Sequence, residues 1–293
     1  MTIGITGVSG FVGRHFVRHP KAAGHRLVGF SRNPGRSLSG VAEMRLMPEK
    51  EAPDVSGLHA VVHLSGESVA GLWTARRRKD IAESRGPATR RLVAAMAAAD
   101  PRPTTLVCAS AVGLYGDRGD DWLTEASPRG AGFLADVAAD WEDAASGAEN
   151  AGIRVVRMRF GLVLGPDGGP FVPLRRVIRL GLGGKLGSGR QWMPWVHVDD
   201  VAGLLWHALL TPTLRGAVNT VAPNPVTNAG FTRTVARHYR RPAFFHSPAW
   251  ALKTVLRDQT SMFLHSQRVR PVAAEASGYT FSHPTLENAL EAL

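Results

Sequence analysis

The chain has 293 residues, 44% of them hydrophobic, and a formal net charge of +11 at pH 7. That length buries a full core as one compact unit with at most a smaller lobe added, while a single cysteine, Cys108, excludes a disulfide framework and a Cys-based zinc site. No apolar run approaches the ~18 residues of a membrane span, and the N-terminus already reads as a strand, so neither a span nor a signal peptide is expected and the cytoplasm is the default location.

A short apolar strand, Thr2–Thr6, runs into three glycines, Gly7, Gly10 and Gly13, spaced G-x-x-G-x-x-G, and a helical pattern opens at Phe11 and continues to His19. Gly7 permits the sharp turn, Gly10 leaves room for a pyrophosphate to approach the backbone, and Gly13 lets the helix pack tightly on the sheet. The helix start, with Ser9, Phe11 and Val12 between the glycines, offers unpaired amides and the positive end of its dipole to phosphate. Strand, glycine turn and helix in that order are the context that makes the motif a dinucleotide site.

The second strand is Arg26–Ser31. A site for NAD places a carboxylate near its end to hold the ribose hydroxyls, but no Asp or Glu precedes Glu43. Ser31 and Arg32 stand there instead, and a guanidinium suits a 2′-phosphate through bidentate, charge-assisted bonds, which points to NADP(H). Strands follow at Ala60–Leu64, Thr105–Ala109 and Arg154–Phe160, with helical patterns at Ile81–Ala99 and Phe133–Ala151. This alternation predicts an α/β fold with a parallel, doubly wound Rossmann sheet. The strand ends Leu64-Ser65-Gly66-Glu67 and Ala109-Ser110-Ala111 then line the cofactor crevice. Residues 1–165 read as the NADP-binding domain, with 196–222 (helix Asp199–Leu210, strand Ala217–Ala222) returning to it. Residues 166–195 and 223–293 read as a smaller C-terminal α/β substrate lobe.

The positive charge comes from 30 Arg and 5 Lys scattered along the chain. The densest run, Arg76-Arg77-Arg78-Lys79, opens a segment whose apolar residues mark a buried face, so its arginines are expected on the solvated side. No interleaved aromatics or nucleic-acid module accompany them, and an anionic cofactor or substrate is the better use of the charge.

Taken together, Gly7–Gly13, Val61–Gly66, Ser110–Gly116 and Val196-His197-Val198-Asp199-Asp200-Val201 resemble the extended short-chain dehydrogenases/reductases. The resemblance is nearest to the atypical sugar-nucleotide-epimerase-like branch, through Ser110-Ala111-Val112-Gly113-Leu114-Tyr115-Gly116, Trp141-Glu142, Arg159–Leu164, Gly187–Gln191 and the tail Gly278–Phe281 with Leu286–Leu290. It implies that Ser110 is the active-site serine. Tyr115, five residues on in a loop expected to face the same crevice, is the one phenol available there and the candidate proton donor, the alternative being a loop aromatic packed on its neighbours. The resemblance places Arg190, Gln191 and Trp195 where relatives bind substrate. Arg159 and Glu67 are read with the cofactor-binding residues, and Glu67, just past a strand end, is also a candidate acid or base, with a solvated carboxylate as the alternative. His197 and Asp199 read as a structural corner, with Asp199 capping the next helix. No metal site is expected.

The family's Tyr-x-x-x-Lys pair is missing: Tyr115, Tyr239 and Tyr279 are the only tyrosines, and none has lysine four residues later. Phe133 and Val137 are the residues expected in those two places, and neither can titrate. Two functions therefore stand side by side. One is an NADP-dependent oxidoreductase or epimerase-like enzyme acting on a polar carbonyl or sugar nucleotide. The other is an NADP(H)-binding sensor or scaffold without turnover. A small-molecule substrate is the expected partner, nucleic acid and membrane are not, and a homodimer is left open.

Overall fold

The computed structural model describes residues 1–293. Seven parallel strands form the central sheet: β1 (Thr2–Thr6), β2 (Arg26–Ser31), β3 (Glu43–Leu46), β4 (Ala60–His63), β5 (Thr105–Ala111), β6 (Arg154–Phe160) and β7 (Gly216–Thr220). Their order across the sheet is β7-β6-β5-β4-β1-β2-β3. Chain direction across the sheet reverses between β1 and β4, so the crevice outside their carboxyl ends is where a ligand has room to enter.

Helices α1 (Phe11–Arg18), α2 (Ala75–Glu83), α3 (Gly86–Ala98), α4 (Phe133–Ser146), α5 (Phe171–Arg179), α6 (Val198–Leu210) and α7 (Asn228–His238) complete the frame. One apolar layer joins Ile3, Ile5 and Val156 to Phe16 of α1 and to Val201, Leu205 and Trp206 of α6. The opposite layer joins Val28, Val61 and Leu106 to Leu92 and Met96 of α3 and Trp141 of α4. Strands covered on both faces are apolar almost throughout, which is why β1 and β2 have the predicted ends; β6 has them too, although Arg154, Arg157 and Arg159 interrupt its apolar residues. A third cluster, with Phe171, Ile178, Trp195, Phe231 and Leu286, is the core of the smaller C-terminal region. There, two-residue and three-residue ladders (192–193 with 226–227, 184–186 with 245–247) accompany the helices. No helix is long and apolar enough to cross a membrane.

Three expectations are corrected. The edge strand β3 carries no buried residue, so it lacks the apolar run that betrays the others. The single helix expected over Ile81–Ala99 is two: Pro87 has no amide to donate back to the preceding turn, so the chain stops at Glu83 and restarts at Gly86. Helix α6 is capped by His197, whose Nδ1 accepts from the Asp199 amide at 3.2 Å, and Asp199 sits inside the first turn.

Trp206 fastens α6 to α1. Its indole stacks on Phe16 at 4.6 Å, and its Nε1 donates to the Phe16 carbonyl at 3.0 Å. Trp206→Ala is expected to cost about 3–5 kcal/mol, and Trp206→Phe, which keeps most of the ring but loses the donor, about 1 kcal/mol. Urea unfolding followed by circular dichroism checks both values.

Candidate functional site

The glycine turn is built against the end of β4. Gly7 has φ +68°, and a Cβ there would meet the Leu64 carbonyl carbon and oxygen at 2.9 Å and the Ser65 amide at 3.0 Å. Only glycine fits both the backbone conformation and the space. Thr6 holds the approach: its Oγ1 accepts from the Leu64 and Ser65 amides at 3.1 and 3.2 Å and pairs with His63 Nδ1 at 2.7 Å. His63 Nε2 in turn meets Thr89 Oγ1 at 3.0 Å, so the ring is satisfied at both nitrogens. Burial pushes the His63 imidazole down to about 4, and it is neutral at physiological pH. Sequence reasoning missed Thr6, His63 and Thr89 because each lies in a stretch that reads as plain strand or helix.

Helix α1 starts at Gly10, in extended conformation, with no side chain capping its amides. Gly10 and Ser9 are exposed, and the amides of Phe11 and Val12 open the helix. Gly13 is tight against the turn itself rather than the sheet, since a Cβ there would lie 2.5 Å from the Gly7 carbonyl oxygen. An exposed, uncapped helix start leaves backbone amides open, the arrangement that suits a phosphate. The Phe11 ring packs over Gly165, Gly168 and Gly169. At the end of β2, Ser31 Oγ accepts from the Asn33 amide at 3.1 Å, shaping the turn that presents Arg32. Arg32 and Arg36 are both exposed, and neither guanidinium has a protein partner. The residues present fit a dinucleotide with a phosphorylated ribose.

Beyond β4, Glu67 pairs with Arg77 at 2.9 Å and its amide donates to Ser84 Oγ at 2.9 Å. Arg85 lies close beside Gly66, and burial lowers its guanidinium to about 10. Arg78 lies 4.5 Å over the Phe133 ring and pairs with Asp258 at 2.7 Å, while Trp73 meets the same ring edge-on at 5.2 Å. Arg77 and Arg78 are therefore half-buried and paired, not spread over a solvated face. Phe133 is packed under an arginine and an indole, and Val137 is buried.

Ser110 and Tyr115 enter one buried network. Ser110 Oγ donates to Glu142 Oε1 at 2.7 Å. Glu142 also receives Arg159 Nε at 2.7 Å and Nη2 at 2.8 Å, and Arg159 Nη1 donates to the Tyr115 hydroxyl at 2.8 Å. Tyr115 donates its own proton to Asn219 Oδ1 at 2.6 Å. Burial, only partly offset by Arg159, pushes the Tyr115 phenol up. Tyr115 is 0% exposed, so it does not face the crevice as expected, and Arg159 is turned inward to Glu142 rather than toward a cofactor. The reason is one chain of contacts: Arg159 neutralises the buried Glu142 carboxylate, and the Tyr115 hydroxyl takes up the nitrogen of Arg159 that Glu142 leaves over.

The expected substrate residues separate. Trp195 is a core side chain whose Nε1 donates to the Asn224 carbonyl at 3.2 Å. Gln191 is buried, with Nε2 donating to the Leu186 and Phe263 carbonyls at 3.0 Å each. Both brace the backbone and neither lines open space. Arg190 is exposed with no partner on its guanidinium. Nearby in sequence, the Trp192 and Trp122 rings sandwich the Arg268 guanidinium at 4.2 and 3.8 Å.

Comparison with known proteins gives a family. The family model described as NAD dependent epimerase/dehydratase family matches residues 3–221, and a domain of unknown function, DUF1731, matches residues 247–293. The chain is 34% identical over 307 residues to the chloroplastic epimerase family protein SDR39U1 homolog of Arabidopsis thaliana, covering 100% of this chain and 86% of that one. Among solved structures, human epimerase family protein SDR39U1 (isoform 2) with NADPH superposes with TM-score 0.89 at 32% identity, covering 99% of this chain and 98% of that one. A nucleoside-diphosphate sugar epimerase from Corynebacterium glutamicum superposes with TM-score 0.81 at 32% identity, covering 100% of this chain and 57% of that one.

Two outcomes follow from the buried polar groups. His63 is neutral when folded but titrates at an ordinary value near 6.5 when unfolded. Its contribution is therefore intact above pH 6.5 and is lost as pH falls from 6.5 toward 4, by about 3 kcal/mol. Urea unfolding at a series of pH values should show that loss, and a His63→Gln variant should show a shallower one. Tyr115→Phe strands Asn219 Oδ1 and removes one Arg159 partner, so it should cost about 1–3 kcal/mol in the same assay.

Proposed function

The chain belongs to the NAD dependent epimerase/dehydratase family, and from that membership we propose that it binds NADP(H) at the carboxyl edge of β1, β2 and β4. The observation that carries the reading is the pair of partnerless guanidiniums, Arg32 and Arg36, after β2, where no carboxylate stands. Gly7, Ser9, Gly10, Phe11, Val12 and Gly13 would hold the pyrophosphate, Arg32 the 2′-phosphate, and Leu64–Glu67 the neighbouring wall. The NADPH described for the human relative supports the same choice. When bound, the group would supply or accept a hydride. This chain's own part is to seat and orient it.

Carbonyl reduction also needs a proton, and here the geometry favours the reading without turnover by a tyrosine acid. Ser110 is committed to Glu142, Tyr115 to Asn219, and Phe133 and Val137 are apolar. We therefore place an NADP(H)-binding sensor or scaffold first. The second reading, an oxidoreductase or epimerase-like enzyme for a polar carbonyl or sugar nucleotide, draws on the half-buried Glu67–Arg77 pair and the free Arg190. In that reading Glu67 is the remaining candidate acid or base on the crevice wall.

NADP(H) should bind more tightly than NAD(H). Arg32→Ala should remove about 1.5–3 kcal/mol of that preference, roughly 10- to 150-fold in affinity, as measured by calorimetric titration of both dinucleotides. Equal affinities in the native protein would sink the assignment. Screens of sugar nucleotides and quinones for NADPH oxidation separate the two readings: turnover abolished by Glu67→Gln supports the enzyme, and tight NADPH binding with no turnover supports the sensor.

A further inference from the structure

On the α1–α6 side of the sheet, away from the network around Glu142, four chain segments bring imidazoles and carboxylates together. His197 ends the strand 195–197, Asp199 lies in the first turn of α6, and His283 comes from the C-terminal tail. One nitrogen from each ring and one Asp199 oxygen lie within 4.8 Å of one another. Asp199 Oδ2 is 3.5 Å from His197 Nδ1 and 3.9 Å from His283 Nε2, and the two rings are 4.1 Å apart between centroids. His197 is 1% exposed, and its Nε2 is buried with no hydrogen-bond partner. Nδ1 of this ring accepts from the Asp199 amide at 3.2 Å, so Nε2 is the nitrogen left over, and a metal bound there would release its proton. A buried ring nitrogen without a partner is rare in a settled core and calls for a reason.

We propose that His197, Asp199 and His283 form a site for a divalent transition-metal ion of the zinc class. Two imidazoles and one carboxylate are a donor set that such ions take, with a fourth position left for water. Metal–ligand distances of ~2.0–2.2 Å require the three donors to draw together. Their setting allows it, because the Asp199 side chain is 57% exposed and swings from a helix end, which also opens a path for the ion. The backbone behind the ligands is fixed: Asp200 Oδ1 and Oδ2 accept from the Ser282 and His283 amides at 2.8 and 2.9 Å, anchoring the tail beside α6.

An outer ring of partners is also in place. His15 of α1 sets Nδ1 3.5 Å from the other Asp199 oxygen and Nε2 3.0 Å from Asp167 Oδ1. A ligating carboxylate steadied in this way by a second group is the usual support of a metal centre. Bound metal would clasp the start of α6 to the tail, with α1 and the 165–170 loop held through His15 and Asp167. His197 and Asp199 lie two residues apart, but the third ligand, His283, is more than 80 residues further on, so the set is not marked as a unit in the sequence.

The test is titration of chelator-treated full-length protein with Zn²⁺ by calorimetry, and with Co²⁺ by visible absorption. The expected result is one saturable equivalent, a ligand-field spectrum of low-symmetry coordination, and a zinc-dependent rise in melting temperature. Asp199→Asn, at an exposed side chain, and His283→Gln, at a partly buried one, should each weaken binding by at least about 10-fold while circular dichroism stays native. The proposal is overturned if no saturable equivalent appears, or if either variant binds Zn²⁺ as tightly as the native chain, since the ion would then sit elsewhere.

Discussion

The buried ion pair between Glu142 and Arg159 is the constraint around which the polar interior is arranged. Removing a carboxylate and a guanidinium from water costs several kcal/mol each, and their attraction offsets that only when every remaining lone pair and proton is placed. Here they are. Glu142 takes two guanidinium contacts and the Ser110 hydroxyl, and Arg159 gives its remaining nitrogen to Tyr115 and to the Glu125 carbonyl. Burial opposes the charge on Arg159, but Glu142 more than compensates and keeps it protonated. The pair joins α4 to β6, and through Tyr115 and Asn219 it reaches β7. In this structure the two hydroxyls that resemble catalytic ones, Ser110 and Tyr115, both have their hydrogens engaged in that network.

A contrast runs through the arginines. Those that build the protein have partners: Arg159 on Glu142, Arg77 on Glu67, Arg78 on Asp258 and Phe133. Arg32, Arg36 and Arg190 have none and stand in loops. An unpaired guanidinium in water contributes little to folding, so these positions are available to an anionic ligand without loss to the fold. The net charge of +11 thus has a local meaning at the end of β2, where the absence of any carboxylate before Glu43 leaves the field of Arg32 and Arg36 uncompensated.

How much was legible in the sequence depends on what each residue answers to. β1 and β2 were readable to the residue because burial on both faces demands an apolar run, and the glycine turn because steric need at Gly7 admits one residue type. β3 was not, since an edge strand of half-exposed residues has no such demand. The break at Gly86-Pro87 was written in the chain and overridden by the apolar periodicity on either side. Tyr115, Arg159, Gln191 and Trp195 were assigned to ligands because polar and aromatic residues in loop-rich motifs usually face outward. Each instead satisfies a buried backbone or charge whose position depends on distant segments, and nothing local in the sequence encodes that.

The tail shows the same dependence on long-range partners. Asp200, buried at the start of α6, accepts from Tyr279, Ser282 and His283, while Asn219 and Glu125 hold the Arg270 carbonyl and the Ala273 amide. Two separate anchors therefore bind the stretch from 270 to 283 to the main sheet, one through β7 and one through α6. With both engaged, the stretch from 270 to 283 is held against β7 and α6, and residues it carries, His283 among them, keep a fixed relation to the start of α6.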